Sequence, residues 1–190
     1  MISLTGCTKT VQWEEEVLLN TGETIWVSKI VNYSIQGRPG NPADIGYSPE
    51  QVETLSFKYG GRSYMYKGDA SQIMVLAISP QKTPVLLAPA LSRGWSSRNN
   101  YKCTKPYYVQ LIPDASGLVW TWPEAIEPWT YNLPTNLMLN RKHPSEMNKR
   151  YTMEDKSKQD FWNDRQLLDI QKINPLKEPF NCVKKESNKS

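Results

Sequence analysis

The chain has 190 residues, the length of one domain, and enough to bury roughly 70% of the surface its unfolded form would expose. Hydrophobic residues make up only 38%, but seven tryptophans, ten tyrosines and three phenylalanines bring large areas to a core, and no apolar run reaches the ~18 residues of a membrane-spanning helix. The net charge of +4 is uneven: residues 1–139 carry 11 basic and 11 acidic side chains, residues 140–190 carry 12 and 8, and these alternate in sign with few aromatics between them, so nucleic acid is not an expected partner.

At the N-terminus, Leu4-Thr5-Gly6-Cys7 resembles a bacterial lipobox, in which a branched apolar residue and two small residues precede a cysteine that is alkylated by a diacylglyceryl group. That resemblance implies lipidation at Cys7 and cleavage before it. A secretory leader needs a basic region and an apolar stretch of about 7–15 residues, and only six residues precede Cys7, so an upstream leader is expected. Residues 1–9 are read as a tether, 10–132 as an antiparallel β domain and 133–190 as a polar, partly helical extension. Thr8 after the cysteine lacks the aspartate of an inner-membrane retention signal, which implies an outer-membrane anchor facing the periplasm. The cysteine count agrees with export: without Cys7, an even pair remains, Cys103 and Cys182, a candidate disulfide in an oxidising compartment and otherwise two buried thiols.

From Val11 to Leu19, Val11, Trp13, Val17 and Leu19 alternate with Gln12, Glu14 and Glu16, the period of a half-buried strand, with Glu15 the one misplaced charge. Asn20-Thr21-Gly22-Glu23 reads as a turn into a second strand, where Ile25, Val27, Val31, Tyr33 and Ile35 fall on one face. The glycines and prolines from Gly37 to Pro49 predict an irregular loop of more than a dozen residues. Gly60-Gly61 predicts a type I′ hairpin with Phe57 opposite Tyr64 and Leu55 opposite Tyr66. Further strands are expected at Ile73–Ile78, Val85–Ala88, Tyr107–Ile112 and Leu118–Trp122, the last two joined by a turn at 113–117. Thr152-Met153-Glu154-Asp155 has the pattern of a helix N-terminus, predicting one helix from Thr152 to about Lys172 and disorder after about Cys182.

Several constellations bear on chemistry. Glu124 and Glu127, beside Trp120, Trp122 and Trp129, suggest a glycosidase pair, but such carboxyl groups must stand about 5–9.5 Å apart on either side of the bond, and near neighbours between Pro123 and Pro128 read as surface acids. Asp114 suits a turn. A Cys103/His143 dyad rests only on the presence of a single histidine and a mid-chain cysteine. No Cys/His cluster, nucleotide loop or nucleophile elbow occurs, so no metal and no cofactor is expected. Trp120, Trp122 and Trp129 are candidate binding residues for a glycan or protein, with core packing the favoured reading of such rings.

The order of features, from the Thr-Gly-Cys opening through the glycine-turn hairpin to Tyr101-Lys102-Cys103-Thr104, Pro106–Leu111, Trp120-Thr121-Trp122-Pro123 and Glu127-Pro128-Trp129, is similar to a family of uncharacterised proteobacterial envelope proteins over roughly residues 4–153. The resemblance implies location and carries no catalytic residues. The expected fold is mainly β, an antiparallel sandwich or barrel-like sheet with a short α-helical, partly disordered C-terminal extension. The expected function is that of a non-catalytic envelope lipoprotein, membrane-bound through lipid and acting on a protein or glycan. The alternatives are a small periplasmic hydrolase using Glu124, Glu127 or Asp114 and, were the lipobox fortuitous, a cytosolic accessory protein.

Overall fold

A computed structural model describes residues 8–38, 41–68, 73–90, 105–138, 149–157 and 172–177. Two sheets pack face to face. The larger has the order β4-β3-β2-β1-β9, built from β1 (Thr8–Leu18), β2 (Thr24–Arg38), β3 (Asn41–Tyr59), β4 (Arg62–Gly68) and the short β9 (Arg150–Tyr151), which lies parallel to β1. The smaller is antiparallel, β5-β6-β7-β8, from β5 (Val75–Ile78), β6 (Pro84–Pro89), β7 (Tyr108–Pro113) and β8 (Trp120–Thr121). The architecture is therefore mainly β and a sandwich; it does not close into a barrel.

Alternation along β1 and β2 does what the sequence pattern demands: Val11, Trp13, Val17, Val27 and Val31 are buried while Gln12 and Glu14 face solvent. Gly60 and Gly61 adopt φ of +55° and +75°, and the tight turn they make sets Phe57 opposite Tyr64 and Leu55 opposite Tyr66. The Phe57 and Tyr64 rings stack with centroids 5.3 Å apart. The inner face of the larger sheet, from Val17 and Leu19 through Leu55 to Tyr66, meets Leu76, Ile78, Leu86, Val109 and Leu111 of the smaller sheet. Behind the smaller sheet, Val75, Ala77, Val85, Leu87 and Tyr108 are covered by Ile126 and Ile173, with Trp129 and Leu133 partly buried against them. A sheet buried on both faces needs no polar alternation, which is why Ile73–Ile78 is uniformly apolar.

The expected irregular loop from Gly37 to Pro49 is corrected. β2 runs to Arg38 and β3 begins at Asn41, so strand pairing continues almost to the tip. Pro42 and Pro49 fit because register shifts interrupt the ladder between Val31 and Tyr33 and between Gly37 and Arg38, relieving the demand for a donor at each position. The C-terminal helix is also only partly as expected. Helix α1 spans Met153–Ser157, and Lys172 forms a β-bridge to Pro134, not a last helical turn; the stretch between them and the segment after Cys182 lie outside the described residues. The helix start matches the sequence pattern: the Thr152 hydroxyl accepts from Asp155 N–H at 3.1 Å, and the Asp155 carboxylate accepts from Thr152 N–H at 2.9 Å.

Glu15 is the residue the pattern could not accommodate, and it is fully buried. Its carboxylate accepts from the Lys156 ammonium of α1 at 2.8 Å, from Met138 N–H at 2.9 Å and from the Trp13 indole at 3.3 Å. The Met138 carbonyl accepts from the Lys29 ammonium at 2.9 Å, and Lys29 pairs in turn with Glu53 at 3.1 Å, both fully buried. Glu53 accepts from Ile73 N–H at 2.8 Å. Two cations and two anions thus alternate across the inner face, where single unpaired charges would be prohibitive. Burial nevertheless outweighs the attraction of Glu15 and lowers the Lys156 pKa from its ordinary value. Beside this network the hydroxyl of buried Tyr33 has no hydrogen-bond partner among the described residues, and burial, followed by Tyr151 and Glu53, raises its pKa.

The edge strand β5 is closed by two side-chain amides. Asn136 accepts from Leu76 N–H at 2.9 Å and donates to Leu76 C=O at 2.8 Å; Asn20 accepts from Ile78 N–H at 2.7 Å and donates to Ile78 C=O at 2.9 Å. Each amide presents one donor and one acceptor, as a neighbouring peptide would, so the edge offers no free ladder at these two residues.

Candidate binding groove

The residues singled out for chemistry do not converge on one cleft. Asp114 organises its turn: one carboxylate oxygen accepts from the Ser116 hydroxyl at 2.6 Å and from the backbone N–H groups of Ser116, Gly117 and Val119 at 3.1, 3.1 and 3.3 Å. Those bonds, the serine hydroxyl first, lower its pKa. Glu124 and Glu127 are exposed; the Glu127 carboxylate accepts the Trp129 indole N–H, and its backbone N–H donates to Gln110 at 2.8 Å. Cys7, Cys103, Cys182 and His143 lie outside the described residues. Among the described residues no group of three or more His, Cys, Asp or Glu side chains could hold a metal ion, and no helix is long and apolar enough to cross a membrane.

The three candidate tryptophans have different surroundings. Trp120 is partly buried against the main core, meets Tyr66 edge-on with centroids 5.9 Å apart, and donates its indole N–H to Met65 C=O at 2.9 Å. Trp129 packs behind the smaller sheet. Trp122, 38% exposed, is the most open of the three.

A groove of about 640 Å³ lies instead across the larger sheet, lined by residues from β1, β2, β3 and β4 and by Leu118. Its polar floor follows from strand register. Glu14 is opposite Ser28, Ser28 opposite Ser56, and Ser56 opposite Met65, giving one row on the outer face. Pairing of Val27 with Phe57 sets Trp26 beside Lys58 in the next row, and Lys58 is opposite Ser63. Two strand spacings, about 10 Å, separate Trp26 from Ser63. Arg150 of β9 places its guanidinium 3.9 Å from the centre of the Trp26 ring and lies 3.7 Å from the Glu14 carboxylate, so a cation covers one face of the indole.

The far wall is also built by a specific contact. Met65 N–H donates to Gly117 C=O at 3.0 Å and Arg62 donates to Ala115 C=O at 2.7 Å, which seats the 114–119 turn on the β4 edge and brings Leu118 to the groove. Gly117 has φ +75°, and a β-carbon there would lie 2.8 Å from Ser63 C=O, so the approach requires glycine. Trp26, Ser28, Ser56, Lys58 and Ser63 were visible in the sequence only as the polar or off-face half of each alternation. Which outer face carries a groove depends on β9 and the 114–119 turn arriving from distant parts of the chain.

Comparison of the chain with family models, with curated proteins and with solved structures returns no match.

Proposed function

We propose that this chain is a non-catalytic binding module, held at a bacterial envelope by lipid on Cys7, and that its groove on the larger sheet takes a glycan. The observation that carries the reading is a partly exposed indole among outer-face hydroxyls: Trp26, with Arg150 over its ring, has Ser28 and Ser56 in the adjacent row and Ser63 beyond Lys58 in its own. A sugar has the complementary chemistry, with C–H faces that stack on an aromatic ring and hydroxyls that exchange hydrogen bonds with serines. Support for a binding role over hydrolysis comes from the acids: Asp114 is engaged by its own turn and Glu127 by Trp129, so neither is set as one of two carboxylates facing a bond.

Titration of the ¹⁵N-labelled chain with a panel of oligosaccharides tests the reading. Binding should shift the Trp26 indole resonance and weaken at least about tenfold in Trp26→Ala, as loss of an aromatic anchor does, with no cleavage products. A ligand that leaves Trp26 unmoved, or cleavage abolished by Glu124→Gln or Glu127→Gln, would overturn it. The tether is tested separately: a fatty-acid analogue should label the chain expressed behind a complete leader and spare Cys7→Ala.

A further inference from the structure

We propose that the glycan is acidic, with a sugar carboxylate seated at the Lys58 ammonium while an adjacent ring stacks on Trp26; this rests on the glycan reading above. On the outer face beside the groove, Glu14 is paired with Arg150 at 3.7 Å, and the Glu16 carboxylate accepts from Met153 N–H at 2.9 Å. Lys58 is exposed and makes no ion pair or hydrogen bond among the described residues. The charged side chains lining the groove are Glu14 and Lys58, and of these two only Lys58 has no ion-pair partner among the described residues.

Position narrows the chemistry further. Lys58 sits between Trp26 on β2 and Ser63 on β4 in a single cross-strand row, so its Cα is one strand spacing, about 5 Å, from that of Trp26, and its flexible stem carries the ammonium over the same face. A carboxylate attached directly to a sugar ring, as in a uronic acid, lies within that distance of a stacked ring. The ammonium and the Ser63 hydroxyl then supply donors to the two carboxylate oxygens. The apolar side of the groove, Met65 and Leu118, faces the ring edges and not the acid.

The test compares two probes on the full chain: a galacturonic-acid trisaccharide and the neutral galactose trisaccharide of the same linkage, each titrated at low and high salt. The acidic probe should bind about tenfold more tightly, the factor a charge-assisted hydrogen bond provides, and the advantage should shrink with salt. Lys58→Met should erase the difference by weakening only the acidic probe, while Trp26→Ala weakens both. Lys58 is exposed, so an unchanged urea midpoint serves as the folding control. Equal affinity for both probes with Lys58→Met silent would overturn the acidic specificity and leave the glycan reading standing. Failure of both probes, together with the whole oligosaccharide panel, to move the Trp26 indole would overturn both.

Discussion

Removing the Lys156 ammonium strands a carboxylate in the core, and the cost can be worked from its contacts. Lys156 is 3% exposed and donates to Glu15 at 2.8 Å, to Glu16 C=O at 2.8 Å and to Asn136 C=O at 2.5 Å. Lys156→Met keeps the stem and deletes the charge; Glu15 then retains only the Met138 and Trp13 N–H groups. Breaking such a pair is expected to cost about 3–5 kcal/mol, a large part of the ~5–15 kcal/mol available to a domain. Glu15→Leu alone should cost a similar amount by orphaning the ammonium. The double variant Glu15→Leu/Lys156→Met takes the same partners from the Met138 and Trp13 donors and the Glu16 and Asn136 carbonyls as the singles do, at about 1–3 kcal/mol each, but strands neither charge, so it should lose clearly less than the sum of the singles.

Urea unfolding followed by tryptophan fluorescence at constant m measures all three. The pH dependence is a second readout. Burial lowers the Lys156 pKa below its ordinary 10.5, so between the folded and unfolded values the unfolded chain binds more protons and stability rises with pH. That rise should be present in the wild type and missing from Lys156→Met. Tyr33 has the opposite sign: its folded pKa is raised above 10.0, so its contribution is present below that value and lost as pH climbs through the folded one, in both proteins alike. A Lys156→Met cost under about 1 kcal/mol, or strictly additive singles, would refute the reasoning.

Other expectations follow from the same contacts. Asn136→Leu deprives Leu76 of both edge partners and should cost about 2–4 kcal/mol, two hydrogen bonds' worth of unsatisfied backbone, while making the protein associate with concentration in sedimentation runs; an unchanged urea midpoint would show that water replaces the amide. Gly117→Ala meets both positive φ and the Ser63 carbonyl and should cost about 1–3 kcal/mol, with amide exchange rising at Met65 as the turn leaves the β4 edge. Cys103 and Cys182 should be bonded in oxidised protein, since Tyr107 N–H donates to Lys177 C=O at 3.1 Å and ties together the stretches that lead to them; the chain-entropy gain is at most ~4.5 kcal/mol, and two freely alkylated thiols in unreduced material would exclude it.

Local order was legible in the sequence wherever a residue's own neighbours decide its conformation. Two-residue alternation set the faces of β1 and β2, the paired glycines set the register that stacks Phe57 on Tyr64, and Thr152 with Asp155 marked the helix start, because each is settled within a few residues by sterics or a short hydrogen bond. The polar departures were not legible, because what makes them tolerable comes from far along the chain. Glu15 is an error in its strand until Lys156 arrives 141 residues later. Asn136 is one more polar residue of the 133–190 extension until β5 presents an open edge to it. Pro42 and Pro49 predict a loop until register shifts excuse their missing donors. Trp26 and the serines of the outer face look like ordinary strand positions until Arg150 and the Gly117 turn wall them into a groove. Periodicity tells which side of a strand a residue faces; what stands opposite that side, and therefore whether a charge is buried or a ring is offered to a ligand, is decided only when segments far apart in the chain pack together.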